Sequence, residues 1–409
     1  MKPAANKANA GKSGPDVRSD CYVEIELKKS GENKINLKSK VEIMYGDSTR
    51  KLINEMCNFF ELKHAEITIE DSGALPGTIM ARFELAVKRL FPDCEKEFLP
   101  EFNKNNYYKT TKEKLRRSRL YLPGNEPKFY PNAGLHGPDG IILDLEDSVA
   151  VTEKDAAQLV VRNSLRTIDF YGAERMVRIN QLPQGLDDLK YIVPHNVHVI
   201  LIPKVESADQ IKQVEEKVLE LKKEHGIKND IYFMPIIESA LGTLKAYEIA
   251  IASKFNCALA IGLEDYTADL GVQRTNEGTE SIFARQMLVN AAKAAGIQAI
   301  DTVFSDVGDM EGLRASVIEA KQLGFEGKGC IHPRQVKVVH EAIAPEEKEI
   351  VKAKKIVLAF EEAEKKGLGV VSLGTKMIDA PVVKRAQNTI KLALLNGLIN
   401  NDWRKDEIG

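Results

Sequence analysis

From Arg116 onward the chain alternates short apolar runs with longer amphipathic stretches, and this rhythm restricts the fold more than any other feature. The runs are Ser118–Leu122, Gly140–Leu145, Met176–Asn180, Val199–Pro203, Ile231–Ile237, Cys257–Ile261, Ala299–Val303 and Gly329–Ile331. Each is the length of a strand and too short for a stable helix. Most are separated by helical patterns such as Ala208–Glu224 and Ser281–Ala295. Strands alternating with helices pair in parallel, because a parallel connection needs a long crossover. Eight such units are what a (β/α)8 barrel of the TIM type requires. A doubly wound open sheet is the alternative. It would carry a GxGxxG turn or a Walker loop after a strand, and neither stands there.

The texture differs before residue 100. Tyr22–Leu27 alternates as a strand, with Lys34–Leu37 as its hairpin partner. Asp47–Leu62 places Leu52, Ile53, Met56, Phe59 and Phe60 at helical spacing; Glu66–Glu70 reads as a strand and Thr78–Leu90 as a helix. The expected order is a flexible tail (1–20), a small α+β domain (21–91), a linker (92–114), the α/β barrel (115–342) and a C-terminal helical extension (343–409). The extension has helical stretches at Pro345–Lys366 and Pro381–Leu395, with a polar segment from Gly367 to Ala380 between them.

Composition excludes several function classes. Lys plus Arg is 58 and Asp plus Glu 60, a net charge of -2, which argues against bulk binding to nucleic acid or an anionic membrane. No run approaches the roughly 18 apolar residues of a membrane-spanning helix. Cys21, Cys57, Cys94, Cys257 and Cys330 are scattered and never form CxxC, so neither a disulfide framework nor a thiolate zinc site is expected. The first residues lack the apolar core of a secretory signal, and a cytoplasmic, reducing compartment is expected.

Residues at the C-terminal ends of barrel strands face the active site. In order these are Asp144, Glu146 and Asp147; Arg178 and Asn180; Lys204 and Glu206; Glu238; Glu264 and Asp265; Asp301; and His332. A single strand-end carboxylate is often a structural ion pair, but this many buried without partners would be costly. A divalent metal resolves the excess. Oxygen donors without a His pair or thiolate cluster favour Mg²⁺ or Mn²⁺, and Mg²⁺ uses only one or two protein carboxylates. Such a site would polarise a carbonyl while Arg178 forks a carboxylate. Lys204 as a Schiff-base amine is a weaker reading, since the surrounding carboxylates hold it protonated. His332 fits a supporting role better than a ligand's.

At these residues a family resemblance emerges. Arg117–Asn125 (RSRLYLPGN) and Asp139–Val149 (DGIILDLEDSV) resemble the first two barrel strands of the citrate lyase beta-subunit-like aldolases. Val177–Asn180, Ile202–Ser207, Ile236–Ser239, Gly262–Tyr266 and Cys330–Pro333 continue the likeness in order, from about residue 116 to 390. The resemblance implies a Mg²⁺-dependent carbon–carbon lyase acting on citryl, citramalyl, malyl or methylmalyl thioesters. It implies Glu238 and Asp265 as metal ligands, and Arg178 with Lys204 as contacts for the 2-oxo acid. Asp144 and Glu146 would support metal-bound waters, and Arg119 and Lys128 would contact CoA. Met377–Pro381 is similar to the family's segment inserted into a neighbouring subunit, which implies a homotrimer or hexamer with Asp379 as acid/base group. The plainer reading of Asp379 is an N-cap before Pro381. Leu263 stands where the family carries a smaller residue.

Residues 17 to 91 resemble the gamma subunit of citrate lyase, an acyl carrier, through Val41–Asp47, Glu70–Leu75 and Ala81–Ala86. The resemblance implies a CoA-derived prosthetic group on a serine before the first strand. The family's serine aligns with Arg18, and Ser19 follows it, so Ser19 is the candidate attachment site. An acyl-transferase alpha subunit is the implied partner of a loaded carrier. Thioester hydrolysis or malate-synthase-like condensation on the same metal site, and a non-catalytic scaffold, are the alternatives. Pro235, Ile236 and Leu263 suggest an apolar wall compatible with a methyl group.

Overall fold

The computed structural model describes residues 3–365, 367, 371–373 and 376–404. The N-terminal domain contains β1 (Lys7–Gly11), β2 (Cys21–Leu27), β3 (Lys34–Ser39), α1 (Glu42–Phe59), β4 (Ala65–Asp71) and α2 (Pro76–Leu90). Its sheet has the order β1-β2-β4-β3. Cys21, Val23 and Ile25 of β2 and Ile67 and Ile69 of β4 are fully buried, as are Ile53 and Met56 of α1 and Phe83 and Val87 of α2. Each such side chain contributes roughly 1.5–3 kcal/mol when it leaves water.

Two expectations are corrected here. The stretch expected to be a tail supplies β1, which pairs antiparallel with β2 from Lys7↔Glu26 to Gly11↔Tyr22. Its sequence, KANAG, is held by backbone hydrogen bonds at the sheet edge and has no apolar alternation to reveal it. The segment expected as the hairpin partner of β2 is β3, which runs parallel to β4. Helix α1 is the crossover that makes this parallel pairing possible.

The barrel closes in the order β10-β11-β12-β5-β6-β7-β8-β9, which excludes the open doubly wound sheet. Its strands are β5 (Ser118–Pro123), β6 (Gly140–Asp144), β7 (Glu174–Arg178), β8 (Val199–Ile202), β9 (Tyr232–Ile237), β10 (Ala258–Ile261), β11 (Gln298–Val303) and β12 (Gly327–Cys330). Around it stand α3 (Lys154–Thr167), α4 (Gly185–Ile192), α5 (Ala208–Glu224), α6 (Ala240–Leu244), α7 (Ala246–Ile251), α8 (Leu263–Leu270), α9 (Ile282–Ala294), α10 (Met310–Leu323) and α11 (Pro333–Ile343). The strand alternation sorts side chains cleanly. Ile142, Met176, Leu201, Met234, Ala260 and Ile300 form the inner cluster, while Ile141, Leu143, Ile200, Phe233 and Leu259 join the larger core under the helices.

A buried ion pair and a buried hydrogen bond join the two domains. Arg162 of α3 donates to both oxygens of Glu84 on α2, at 2.9 and 2.8 Å. Arg82 of α2 forks Asp20 at 2.9 and 2.7 Å and reaches the Asn125 carbonyl after β5 at 3.3 Å. The segment 92–114 follows the barrel wall: the Asn103 N–H donates to the Arg166 carbonyl (2.7 Å) and the Tyr108 hydroxyl to that of Ala173 (2.6 Å).

The extension holds α12 (Glu347–Lys365), the antiparallel strands β13 (Val371–Leu373) and β14 (Lys376–Ile378), and α13 (Ala380–Leu395). Ile356, Val357, Val383, Ile390 and Trp403 form its core. The expected polar segment Gly367–Ala380 and the extension to Gly409 lie partly outside the described residues. Among the described residues no helix is long and apolar enough to cross a membrane.

Candidate active site at the barrel mouth

Asp144 and Arg178 end adjacent strands in direct register, so β6 and β7 pair them by construction. Arg178 Nε and Nη2 reach the two Asp144 oxygens at 2.7 Å each. Its remaining nitrogen, Nη1, lies 2.7 Å from Glu146 Oε2 and 3.2 Å from Asp147 Oδ2. The turn after β6 wraps Asp144, which also accepts from the Glu146 and Ser148 N–H groups at 3.0 and 3.2 Å. Burial opposes ionisation of Asp144, but the Arg178 guanidinium and Ser148 outweigh it and hold the carboxyl below its usual range.

Lys204 follows β8 in the left-handed region, at φ 49°, a conformation that costs a non-glycine residue of order 1 kcal/mol. Its N–H donates to Glu238 Oε2 at 2.9 Å. Its ammonium stands 3.1 Å from Asp265 Oδ1, 3.8 Å from Glu146 Oε1 and 3.9 Å from Asp147 Oδ1. Glu238, just past β9, is 5% exposed. Asp265 sits in the first turn of α8, where the helix dipole favours a carboxylate. Gly262 caps that helix, and a Cβ on it would lie 2.4 Å from Glu238 Oε1. The glycine is therefore what lets the carboxylate lie flat against the β10 end.

Burial, reinforced by the Glu146 charge, pushes Glu238 up to about 8. Burial also lifts Glu146 to about 7, against the pull of Arg178 and with help from Asp147. Desolvation works against the Lys204 ammonium, but the Asp265 hydrogen bond and the acidic neighbours outweigh it and raise its pKa. Glu146 Oε2 is buried and makes no aligned hydrogen bond despite its closeness to Arg178. These groups line, or stand beside, a cavity of about 460 Å³ at the mouth. Two carboxyls held above their usual range, with Asp265 beside them, form an oxygen donor set that a hard dication fits. Among the described residues no three acidic, His or Cys side chains converge as a ready cage, so any cation here would keep waters, as Mg²⁺ does.

The other expected residues fall elsewhere. Arg119, expected among the CoA contacts, points into the barrel, is 1% exposed and lines the same cavity. Lys128 is on the rim, 3.0 Å from Glu126 and over the Phe129 ring. Ser19 is half-buried at φ 52°, its N–H bonded to the Ser72 carbonyl, beside the Asp20–Arg82 pair that reaches Asn125. Asp379 caps α13 through Val382 N–H at 3.2 Å and is not among the residues lining the cavity. Asp301 is a correction to the strand-end ring. Its carboxylate is buried against Lys328 (2.7 Å) and Arg285 of α9 (3.2 and 3.3 Å), a structural cluster. His332 caps α11, and Glu206 accepts from the Ser239 hydroxyl. Sequence reasoning passed over Ser148, Gly262 and Tyr121 as site residues. Tyr121 lies inside the barrel with Arg178 5.5 Å from its ring centre, and its signal was its place two residues after Arg119 on β5.

Comparison with known proteins fits this geometry. The family model described as HpcH/HpaI aldolase/citrate lyase matches residues 117–333, and that of the malonate decarboxylase delta subunit (MdcD), an acyl carrier type, matches 8–90. The chain is 43% identical over 293 residues to citrate lyase subunit beta of Leuconostoc mesenteroides, covering 71% of this chain and 97% of that protein. It is 34% identical to the human mitochondrial citramalyl-CoA lyase, covering 68% of this chain and 85% of that one. Among solved structures, CitE of Mycobacterium tuberculosis with magnesium, acetoacetate and coenzyme A superposes with a TM-score of 0.57 at 28% identity, covering 69% and 99% of the two chains. The barrel, its mouth and these relatives agree: the chain belongs to the HpcH/HpaI aldolase/citrate lyase family and carries an MdcD-like acyl-carrier domain ahead of the barrel.

Proposed function

We propose that the protein is a Mg²⁺-dependent carbon–carbon lyase that splits a 3-hydroxy-3-carboxyacyl thioester into a 2-oxo acid and an acetyl-type thioester. The observation that carries this reading is the meeting of Glu238, Asp265 and Arg178 around one cavity at the barrel mouth. Glu238 and Asp265 would hold the dication. When bound, Mg²⁺ supplies Lewis-acid polarisation of the oxo-acid carbonyl and favours the ionised carboxylates. Arg178, clamped by Asp144, presents Nη1 to the oxo acid, and Glu146 orders the waters beside it. Lys204 has a long stem and a side chain one-third exposed, so it can leave Asp265 and meet a substrate carboxylate. A base removes the proton from the C3 hydroxyl. The C2–C3 bond breaks, its electron pair enters the thioester enolate, and a proton returned to C2 completes the acetyl-type product. The acid/base role falls to Asp379 of a second copy, in a trimer or hexamer. Ser19 carries the acyl arm if the carrier is loaded, with an alpha subunit as its transferase; otherwise free CoA thioesters enter past Lys128.

The test is product analysis with citryl-CoA, citramalyl-CoA and malyl-CoA plus Mg²⁺. A lyase yields a 2-oxo acid and keeps the thioester. Release of free CoA would favour the second reading, hydrolysis, which a 33% identity to the (3S)-malyl-CoA thioesterase of Cereibacter sphaeroides brings into view. Glu238→Ala or Asp265→Ala is expected to cost about 10³-fold or more in turnover. Full activity in either variant removes the metal assignment. Intact mass of natively expressed protein reads Ser19: an adduct supports the loaded carrier, and an unmodified mass removes that reading.

A further inference from the structure

Arg119 is a buried charge without a carboxylate. It reaches across the barrel from β5 to Met234 Sδ on the opposite strand, at 3.0 Å, and makes one long contact to the Asp301 carbonyl at 3.4 Å. Its Nε has no partner. Two other fully buried arginines also keep one unpartnered nitrogen, Arg82 Nη1 and Arg175 Nη1, but neither side chain lines the mouth cavity. Arg82, Arg116 and Arg162 each fork a carboxylate, and Arg175 donates to the Asn196 carbonyl and lies over the Tyr108 ring, away from the mouth cavity. The nearest acid, Asp301, has its carboxylate committed to Lys328 and Arg285. The barrel is built to admit this side chain: its register partners on both flanking strands are glycines, Gly140 and Gly329.

The other cations at the mouth each face carboxylates in this structure. Arg178 spends Nε and Nη2 on Asp144, and the ammonium of Lys204 stands against Asp265. Among the described residues that line the cavity, Arg119 is the cation with no anionic partner. Met234, which its guanidinium touches, shares a register row with Leu201 and Arg178. Arg119 and Arg178 line the same cavity, so the free guanidinium faces the space in which an oxo acid held near Arg178 would lie. Burying a charge unpaired is costly unless a ligand completes it.

We propose that Arg119, held unpaired at the floor of the mouth cavity, receives the far carboxylate of the substrate's oxo-acid half and selects a 2-oxo dicarboxylic acid over a 2-oxo monoacid. This rests on the lyase reading for the place of the oxo acid, and it deepens that reading by naming the substrate class. The apolar side chains Ile236 and Leu263 line the wall, while the end of the pocket carries the positive charge.

The test is titration calorimetry of the full-length protein with oxaloacetate and with pyruvate, each with Mg²⁺, in parallel with thioester cleavage. Wild type is expected to bind oxaloacetate more tightly than pyruvate, and Arg119→Met to reduce that preference by about 30-fold, the worth of a charge-assisted hydrogen bond. Arg119→Lys should keep part of it. Unchanged preference in a folded Arg119→Met protein, or no preference in wild type, overturns the inference and leaves the guanidinium as core filling. The two readings fail separately. Cleavage of thioesters with no change in selectivity sinks this inference alone. An Arg119-dependent carboxylate preference without cleavage of any thioester sinks the lyase reading alone.

Discussion

Glu146 and Glu238 set the electrostatics of the mouth, and both are easier to protonate than an ordinary carboxylate. They are pushed up to about 7 and about 8 from 4.5. The native state then holds protons that the unfolded chain has released, so the stability these groups contribute is complete below about pH 4.5 and is lost as pH rises through 7 to 8. Thermal unfolding without metal should show this decline, and Glu238→Gln should remove part of it; a flat wild-type profile contradicts the assignment. With Glu238 as the proposed metal ligand, protons would compete with Mg²⁺ for its carboxyl. The rise in melting temperature on adding Mg²⁺ is expected to be larger near about pH 8 than near about pH 6. Gly262 offers a steric check on the same ligand. A Cβ there collides with the Glu238 carboxylate, so Gly262→Ala should weaken Mg²⁺ binding by about tenfold or more, read from the Mg²⁺-dependent melting shift. An unaltered shift would mean that Glu238 does not need its observed place.

At the scale of elements, the α2–α3 contact decides how the carrier-like domain is held. Arg162 and Glu84 are completely buried there, and Glu84 also accepts the Phe98 N–H. Removing Arg162 leaves the buried Glu84 with only Lys88, 3.6 Å away, and the Phe98 N–H. Arg162→Met is expected to cost about 3–5 kcal/mol in denaturant unfolding. The pair Arg162→Met with Glu84→Leu should recover most of that loss, since both charges are then gone. Additive losses would show that something other than the ion pair holds the two helices together. Helix and strand types were largely legible from periodicity: the eight apolar runs each became a barrel strand within a few residues. β1 was not legible, because a short edge strand of small and polar residues leaves its mark in backbone hydrogen bonds and not in hydropathy. The pairing of β3 with β4 was equally hidden, since strand partners depend on the crossover route taken by α1.

For the whole molecule, a buried hydrogen bond and a buried ion pair hold the carrier-like domain on the barrel. Arg82, forked onto Asp20, donates to the Asn125 carbonyl after β5, and Arg162–Glu84 ties α2 to the barrel wall. The full chain should therefore unfold in one main transition, and limited proteolysis within 92–114 should be slow and should not release the carrier-like domain under native conditions. Two separated calorimetric transitions would show that the junction is weak. A domain fixed in this way keeps Ser19, next to Asp20, close to the loop after β5.

The sequence by itself determined the barrel, the order of its strands and the cast of charged residues at their ends, because strand alternation and the C-terminal placement of a barrel site are local and topological rules. Only the tertiary structure decided which charges are spent. Asp301 carries a signal like that of Asp144 along the chain, yet one closes a structural cluster and the other clamps Arg178. Arg119, expected among the CoA contacts, proves to be a cation without a carboxylate partner inside the barrel. Pairing of charges is set by distances across strands far apart in sequence, and no periodicity records them.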